Sequence, residues 1–211
     1  MWKQKIFYFL QGTPIHTLFK KIIYWKWHHA GCPIPPPYTV KRDKIKQISQ
    51  QYNCQIFVET GTFLGATTME MLNHFKQLFT IELSNDLFKR AQNKFSKYKH
   101  VTTLHGDSGK VLFDIIDKID STVLFWLDGH YSGGITAKGD IACPIFKELE
   151  AIFQLENVEY VLMIDDARCF SSSVDADYPS IENLEKFVNE KSPLKMTLDV
   201  DLDIISFKPV K

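Results

Sequence analysis

The sequence has few cysteines and no long apolar run, and both absences exclude classes of protein. Its four cysteines lie far apart along the chain. None forms the close pair typical of a zinc or thioredoxin-type motif, so we expect reduced thiols and a cytoplasmic location. No apolar run approaches the roughly 20 residues of a membrane span. The early apolar stretch 6–10 is shorter than a secretory core of about 7–15 residues, which predicts no export by that route.

The chain also lacks net charge, since 25 basic side chains balance 25 acidic ones. This balance hides a division along the sequence. Residues 1–50 contain nine lysines and arginines against one acid, Asp43, so the rest of the chain carries the opposite net charge. An acidic body opposes a phosphate backbone, and we therefore expect no nucleic-acid partner. With 211 residues, 45% of them apolar, the composition is that of one globular domain with an appendage.

Prolines divide the chain near Tyr38. The segment 32–38 contains four prolines, which cannot continue a helix because proline lacks an amide donor and has a restricted φ. We predict a basic amphipathic N-terminal extension and linker in residues 1–38, and the main domain in residues 39–211. Apolar residues at helical spacing from Ile15 to Trp25 predict a helix in the extension. This helix either docks on the body or on a second copy of the chain, or lies peripherally on the anionic inner face of a membrane.

From residue 39 onward, helix-like and strand-like segments alternate, which is typical of an α/β domain with a mostly parallel sheet. Two short runs at 195–200 and 203–207 differ, because almost nothing separates them. Strands so close in sequence must pair antiparallel. We predict a doubly wound, mostly parallel, seven-stranded sheet with a C-terminal antiparallel hairpin. The five preceding strands are placed at 56–59, 78–82, 101–105, 123–128 and 160–165.

The residues that end these strands are the informative ones, because ligands of a doubly wound sheet bind beyond the carboxyl ends of its strands. Strand one ends at Glu59, and Gly61 and Gly65 then allow a sharp turn and a close backbone approach to a ligand. The turn lacks the G-x-G-x-x-G pattern, which disfavours a nicotinamide or flavin cofactor. Strand two ends at Glu82, where a carboxylate suits two vicinal ribose hydroxyls.

The ends of the next three strands are also polar. Strand three leads to Asp107 and Ser108, which could hold an adenine amino group while capping the next helix. Strand four ends at Asp128, and strand five ends at Asp165 and Asp166. Because neighbouring strands lie about 4.8 Å apart, we expect these three acids to converge. Two carboxylates 4 Å apart repel by about 4 kcal/mol at an effective dielectric near 20. A divalent cation, Mg²⁺ or else Mn²⁺ or Ca²⁺, would remove that cost.

These motifs resemble those of class I S-adenosylmethionine-dependent methyltransferases. The resemblance rests on Glu-x-Gly-x-x-x-Gly-x-Thr after strand one, the acid ending strand two, Gly-Asp-Ser after strand three and the final hairpin. It covers residues 56–208 and is nearest to the metal-dependent O-methyltransferases of the catechol, caffeoyl-CoA and macrocin types. It implies that residues 39–211 form a catalytic domain that binds S-adenosylmethionine. The implied cofactor residues are Glu59, Gly61, Gly65, Glu82, Asp107 and Ser108, and the implied metal ligands are Asp128, Asp165 and Asp166.

The resemblance also directs attention to the loop 130–140 as an acceptor pocket. Thr136 and Lys138 could contact polar or anionic groups of the acceptor there. His130 is the candidate catalytic base, since an ordinary histidine pKa near 6.5 allows it to take a proton at neutral pH. Asp128 is the alternative base. The macrocin type commonly has an acid at the place of His130, so the sequence departs from that pattern here.

We therefore expect an S-adenosylmethionine-dependent, metal-assisted O-methyltransferase that acts on a hydroxyl of a small molecule, such as a sugar or glycoconjugate. Two other functions are consistent with parts of the sequence. A metal-dependent hydrolase or phosphatase would use the three acids and the histidine to activate water, but it leaves the glycine turn and Glu82 unexplained. A noncatalytic module would use the methyltransferase-like body only to bind a ligand.

Overall fold

A computed structural model of the chain describes residues 14–129, 143–170 and 178–210. Within these residues the helices are α1 (Pro14–His29), α2 (Tyr38–Gln51), α3 (Ala66–Met71), α4 (Asn85–Phe95), α5 (Ser108–Val111), α6 (Ile145–Ile152) and α7 (Ile181–Lys191). The strands are β1 (Ile56–Thr60), β2 (Gln77–Glu82), β3 (Val101–His105), β4 (Val123–Leu127), β5 (Tyr160–Ile164), β6 (Met196–Asp201) and β7 (Ile204–Pro209).

The seven strands form one sheet in the order β3-β2-β1-β4-β5-β7-β6. The first five are parallel, and β7 pairs antiparallel with both β5 and β6. The predicted α/β fold, with its mostly parallel sheet and antiparallel C-terminal pair, is confirmed. Strand order reverses between β1 and β4, and the carboxyl ends of these two strands are therefore the expected ligand-binding edge.

The three central strands are buried on both faces, which explains why β4 and β5 are continuous apolar sequences and why β1 is apolar from Ile56 to Val58. Because successive strand side chains point to opposite faces, β1 contributes Ile56 and Val58 to one core and Phe57 to the other. The first core packs against α6 and α7 through residues such as Leu149 and Leu184. The second core packs against α2 and α3.

Strands β6 and β7 are joined by a two-residue turn. Its residues, Leu202 and Asp203, have φ values of 54° and 61°, as the type I′ turn of a tight hairpin requires at both positions. The backbone carbonyl of Asp203 accepts a hydrogen bond of 2.9 Å from the amide of Ala167. The turn is thereby fixed beside the segment that follows β5.

Helix α1 of the N-terminal extension is present where the apolar spacing predicted a helix. Lys20 joins it to the body through ion pairs with Asp43 of α2, at 2.8 Å, and with Glu70 of α3. Other side chains of α1 are exposed, including Leu18 and Trp25. No helix in the described ranges is both long enough and apolar enough to cross a membrane. The boundary at residue 38 and the partner of the extension stay predictions.

Candidate functional site

The turn after β1 brings two strand ends into backbone contact. Gly61 has a φ of 81°, and its amide donates to the carbonyl of Ile81 at 3.0 Å. A methyl group at this position would lie 2.9 Å from the carbonyl carbon of Asp128 and closer still to its oxygen. Within the described structure, Gly61 therefore approaches the end of β4 closely, and the expected approach of this turn to a ligand stays a prediction.

The rest of the turn is held from two sides. The carboxylate of Glu82, at the end of β2, accepts hydrogen bonds from the amides of Phe63, at 2.7 Å, and Ser84, at 2.9 Å. Lys94 of α4 donates to the carbonyls of Leu64 and Gly65, both at 2.9 Å. A loop anchored through its amides and its carbonyls is fixed in shape, as a ligand-binding turn requires. Glu82 itself is buried, and part of its hydrogen-bonding capacity is already used.

Glu59 lies under α3 rather than at the strand ends. It shares a face of β1 with Phe57, because the two are separated by two positions. Its carboxylate accepts hydrogen bonds from Thr80, at 2.7 Å, and from Thr68. Burial raises the pKa of Glu59 to about 7, and the two threonines oppose that rise only in part. Glu59 thus connects β1, β2 and α3, and its contact with a cofactor stays a prediction.

Asp107 and Ser108 lie at the start of α5. The side chain of Asp107 caps this helix by accepting a hydrogen bond from the amide of Gly109 at 3.0 Å, as the sequence predicted. Ser108 is buried beside Gly129, where an added methyl group would lie 3.1 Å from the serine hydroxyl oxygen and 3.0 Å from that of Thr60. The ends of β1 and β4 and the start of α5 therefore converge at the point where strand order reverses.

An acidic cluster forms at the ends of β5 and the hairpin. The carboxylates of Asp165, Asp166 and Asp203 have oxygens that all lie within 4.8 Å of one another. We use the name acidic cluster for these three residues. Asp165 and Asp203 are buried and Asp166 is partly buried. Among the described residues Asp128 lies outside this close group, although Asp165 and Asp166 contribute to the rise of its pKa.

Lys41 of α2 occupies the centre of the acidic cluster. Its ammonium donates to Asp203 at 3.0 Å, to Asp166 at 3.2 Å and to Asp165 at a shorter distance. Arg168 adds a second cation, which pairs with Asp166 at 2.8 Å and with Asp203. The residues present therefore do not fit a metal ion among these three carboxylates while Lys41 holds that place. The metal ligand set Asp128, Asp165 and Asp166 stays a prediction.

Electrostatics at this edge follow from burial and from the close acids. Burial, followed by the charges of Asp165 and Asp166, holds the pKa of Asp128 well above its usual range. Burial alone would lower the pKa of Lys41, but the facing carboxylates, Asp165 above all, have the larger opposite effect. The pKa of Lys41 is therefore raised, and its ammonium stays charged. Partial burial and the charges of Asp128, Asp165 and Asp166 raise the pKa of Tyr38 to about 12, so its hydroxyl keeps its proton.

Two residues of this arrangement, Lys41 and Asp203, were not predicted from the sequence. Lys41 was counted with the basic N-terminal charges, yet only 2% of it is exposed. Asp203 was placed at the start of a strand, whereas it lies in the hairpin turn. The strand-end acids signalled the need for a counter-charge, which a lysine can supply as well as a metal, but no sequence signal pointed to Asp203. His130, Thr136 and Lys138 lie outside the described residues.

The strand order, the reversal between β1 and β4 and the antiparallel C-terminal pair are those of the class I S-adenosylmethionine-dependent methyltransferase fold, and the chain has this fold. Two solved structures illustrate the likeness. The O-methyltransferase TomG from Streptomyces achromogenes, in complex with SAM, is 13% identical with a TM-score of 0.58, covering 89% of this chain and 87% of that one. The O-methyltransferase from Bacillus cereus, in complex with SAH, is 13% identical with a TM-score of 0.57, covering 90% of each chain.

Curated relatives are also methyltransferases. Ribosomal RNA small subunit methyltransferase A of Clostridium botulinum (strain Okra) is 32% identical over 111 residues, which cover 49% of this chain and 38% of that protein. The protein of the same name from Prochlorococcus marinus (strain MIT 9215) is 31% identical over 94 residues, which cover 44% and 34%. The chain thus spans little more than a third of the length of these relatives. No protein-family model matches the chain.

Proposed function

We propose that the protein transfers the methyl group of S-adenosylmethionine to a hydroxyl oxygen of a small molecule, with sugars and glycoconjugates as the favoured acceptor class. The observation that carries the proposal is the convergence at the strand-order reversal. Four features share this edge of the sheet: the fixed glycine turn, the carboxylate of Glu82, the carboxylate of Asp107 and the end of β4. The O-methyltransferase names of the two structural neighbours support oxygen as the methyl acceptor.

The chemistry of this edge suits the proposed cofactor. S-adenosylmethionine, when bound, supplies an electrophilic methyl group on a positively charged sulfur. Acidic side chains favour such a cation, and Glu82 and Asp107 have the acceptor atoms that ribose hydroxyls and an adenine amino group require. Gly61 keeps the turn free of a side chain that would displace the end of β4.

Transfer itself requires geometry and one proton acceptor. The acceptor oxygen attacks the methyl carbon in line, and the carbon–sulfur bond breaks to release S-adenosylhomocysteine. The hydroxyl loses its proton as the new carbon–oxygen bond forms. Asp128 is suited to take that proton, because its raised pKa makes it a stronger base than an ordinary carboxylate. His130 is the alternative base. Holding the two reactants in line supplies most of the rate gain in such a site.

Tyr38 is the proposed contact for the acceptor. Half of this residue is exposed, and its ring lies 5.9 Å from the ammonium of Lys41 and 5.8 Å from the guanidinium of Arg42. An exposed ring with a protonated hydroxyl offers both a stacking face and a hydrogen-bond donor. A sugar or an aromatic alcohol would use both features.

Calorimetry tests the cofactor assignment first. Purified full chain should bind S-adenosylmethionine and S-adenosylhomocysteine, and Asp107→Asn should weaken binding by about tenfold, the effect of one hydrogen bond. Asparagine keeps the oxygen that caps α5 and loses the carboxylate. Asp120→Asn, at an exposed position near the opposite edge of the sheet, is the matched control and should bind like wild type. Absence of binding by the wild type would refute the proposal.

A second candidate function follows from the curated relatives, which are named as ribosomal RNA methyltransferases. Tritiated methyl groups from S-adenosylmethionine distinguish the two candidates. Incubation with a cell extract should label the small-molecule fraction if the hydroxyl acceptor is correct. Label confined to the RNA fraction would favour the second candidate and contradict the acceptor class that we propose.

A further inference from the structure

Lys41 is a lysine in an unusual place. It belongs to the first turn of α2, where basic side chains oppose the positive end of the helix dipole. It is also almost completely buried, and a buried ammonium is costly unless it is paired. Helix geometry and burial both disfavour a lysine here, so its contacts with the acidic cluster explain its position.

Those contacts are the contacts of a bound cation. A single nitrogen lies among oxygens from three carboxylates, and these come from two separate parts of the chain, the segment after β5 and the hairpin turn. Divalent ions in proteins commonly bind several carboxylate oxygens in this way. The ammonium differs in its single charge and in its covalent connection to α2.

Formal charges distinguish the two kinds of cation. Three carboxylates face two cations, Lys41 and Arg168, which leaves one negative charge. A divalent ion added to this cluster would overcompensate it. Without Lys41 the deficit would be two charges, which a divalent ion matches.

We propose that Lys41 takes the place of a divalent metal in the acidic cluster, so that the protein holds these carboxylates together without a metal ion. Lys41 is then a positioning residue. It fixes Asp165 and Asp166 beside Asp128, and their part in methyl transfer rests on the function proposed above. The inference predicts that removal of the lysine charge creates a metal site that the wild type lacks.

Titration with Mn²⁺, followed by the electron paramagnetic resonance of the free ion, tests this prediction on the full chain. Wild type and Lys41→Arg should bind no stoichiometric Mn²⁺ at this cluster. Lys41→Met should bind one Mn²⁺ per chain, and the added change Asp203→Asn should abolish that site. Lys44→Met is the matched control. Lys44 lies on the same helix and pairs with the exposed Asp201 at 2.8 Å, so its loss should create no site.

Two results would overturn the inference. One is a folded Lys41→Met variant that binds no Mn²⁺. The other is a wild-type chain that binds one Mn²⁺ and loses it on Asp165→Asn. Asp165 Oδ2 is buried with no hydrogen-bond partner among the described residues, so it is the oxygen that such an ion would use. If Lys41→Met does not fold, the wild-type titration decides: absence of the site supports the inference. These measurements use neither S-adenosylmethionine nor an acceptor, so this inference and the proposed function fail separately.

Discussion

Replacement of Gly61 by alanine tests the contact that defines the site. Gly61 and Gly31 both have a φ of 81°, but their surroundings differ. A methyl group at Gly61 would collide with the backbone of Asp128, whereas nothing lies within 4 Å of the corresponding position at Gly31. Gly31→Ala is therefore a matched control that carries the conformational strain without the collision.

The expected losses of unfolding free energy follow from the backbone strain and the collision. A left-handed φ costs an alanine about 1–2 kcal/mol, and this cost applies to both variants. The gain from a less flexible unfolded chain also applies to both and cancels in the comparison. Overpacking against a backbone adds about 1–3 kcal/mol for Gly61→Ala alone. A difference of about 2 kcal/mol between the variants would correspond to about 4–8 °C in Tm for a chain of this size.

Urea denaturation followed by circular dichroism measures the free energy of unfolding of both variants. We expect Gly61→Ala to be the less stable one by that difference. If the two variants lose equal stability, β1 and β4 do not approach each other as described, and the geometry of the proposed site is wrong.

Two further predictions concern stability. The pKa of Glu59 rises from 4.5 to about 7 on folding, so the folded chain holds this proton more tightly than the unfolded chain. The stability that the proton contributes is therefore complete below pH 4.5 and is lost as the pH rises through about 7. Unfolding measured across this range should show that loss, of about 3 kcal/mol, in wild type but not in Glu59→Gln, and parallel curves would contradict it. Ser180→Ala should cost about 1 kcal/mol, because the Ser180 hydroxyl caps α7 by accepting from Asn183 at 3.1 Å. Ser84→Ala should cost almost nothing, because the Ser84 side chain makes no capping bond, and equal losses would contradict this difference.

Local patterns were sufficient to predict the fold. Strands β4 and β5 are continuous apolar segments bounded by polar residues, β1 begins with the apolar run 56–58, and the short gap before Ile204 required an antiparallel pair. The predicted capping by Asp107 depended only on residues next to it in sequence, and it is present. Ser84 has the same position before α4, but its hydroxyl makes no capping bond, and its own amide donates to the carboxylate of Glu82.

The charge balance of the site could not be predicted in the same way. Three acids at strand ends indicated that a cation was needed, but spacing along the chain carries no information on which cation. Lys41 reaches the cluster because α2 packs on one face of the sheet, and Asp203 reaches it because β7 pairs with β5. Both depend on contacts between residues far apart in sequence: Lys41 is 124 positions from Asp165 and 162 from Asp203, and β5 pairs with β7 through Leu162 and Phe207. The partner of Gly61 was missed for the same reason.

The hairpin turn has a consequence for biosynthesis. Lys41 and Asp203 are 162 positions apart, so a ribosome must translate almost the whole domain before the ammonium meets its third carboxylate. Until then, an emerging chain has a lysine and two aspartates that favour exposure to water over burial. Helix α2 should therefore dock stably only late in synthesis, after β7 has paired with β5.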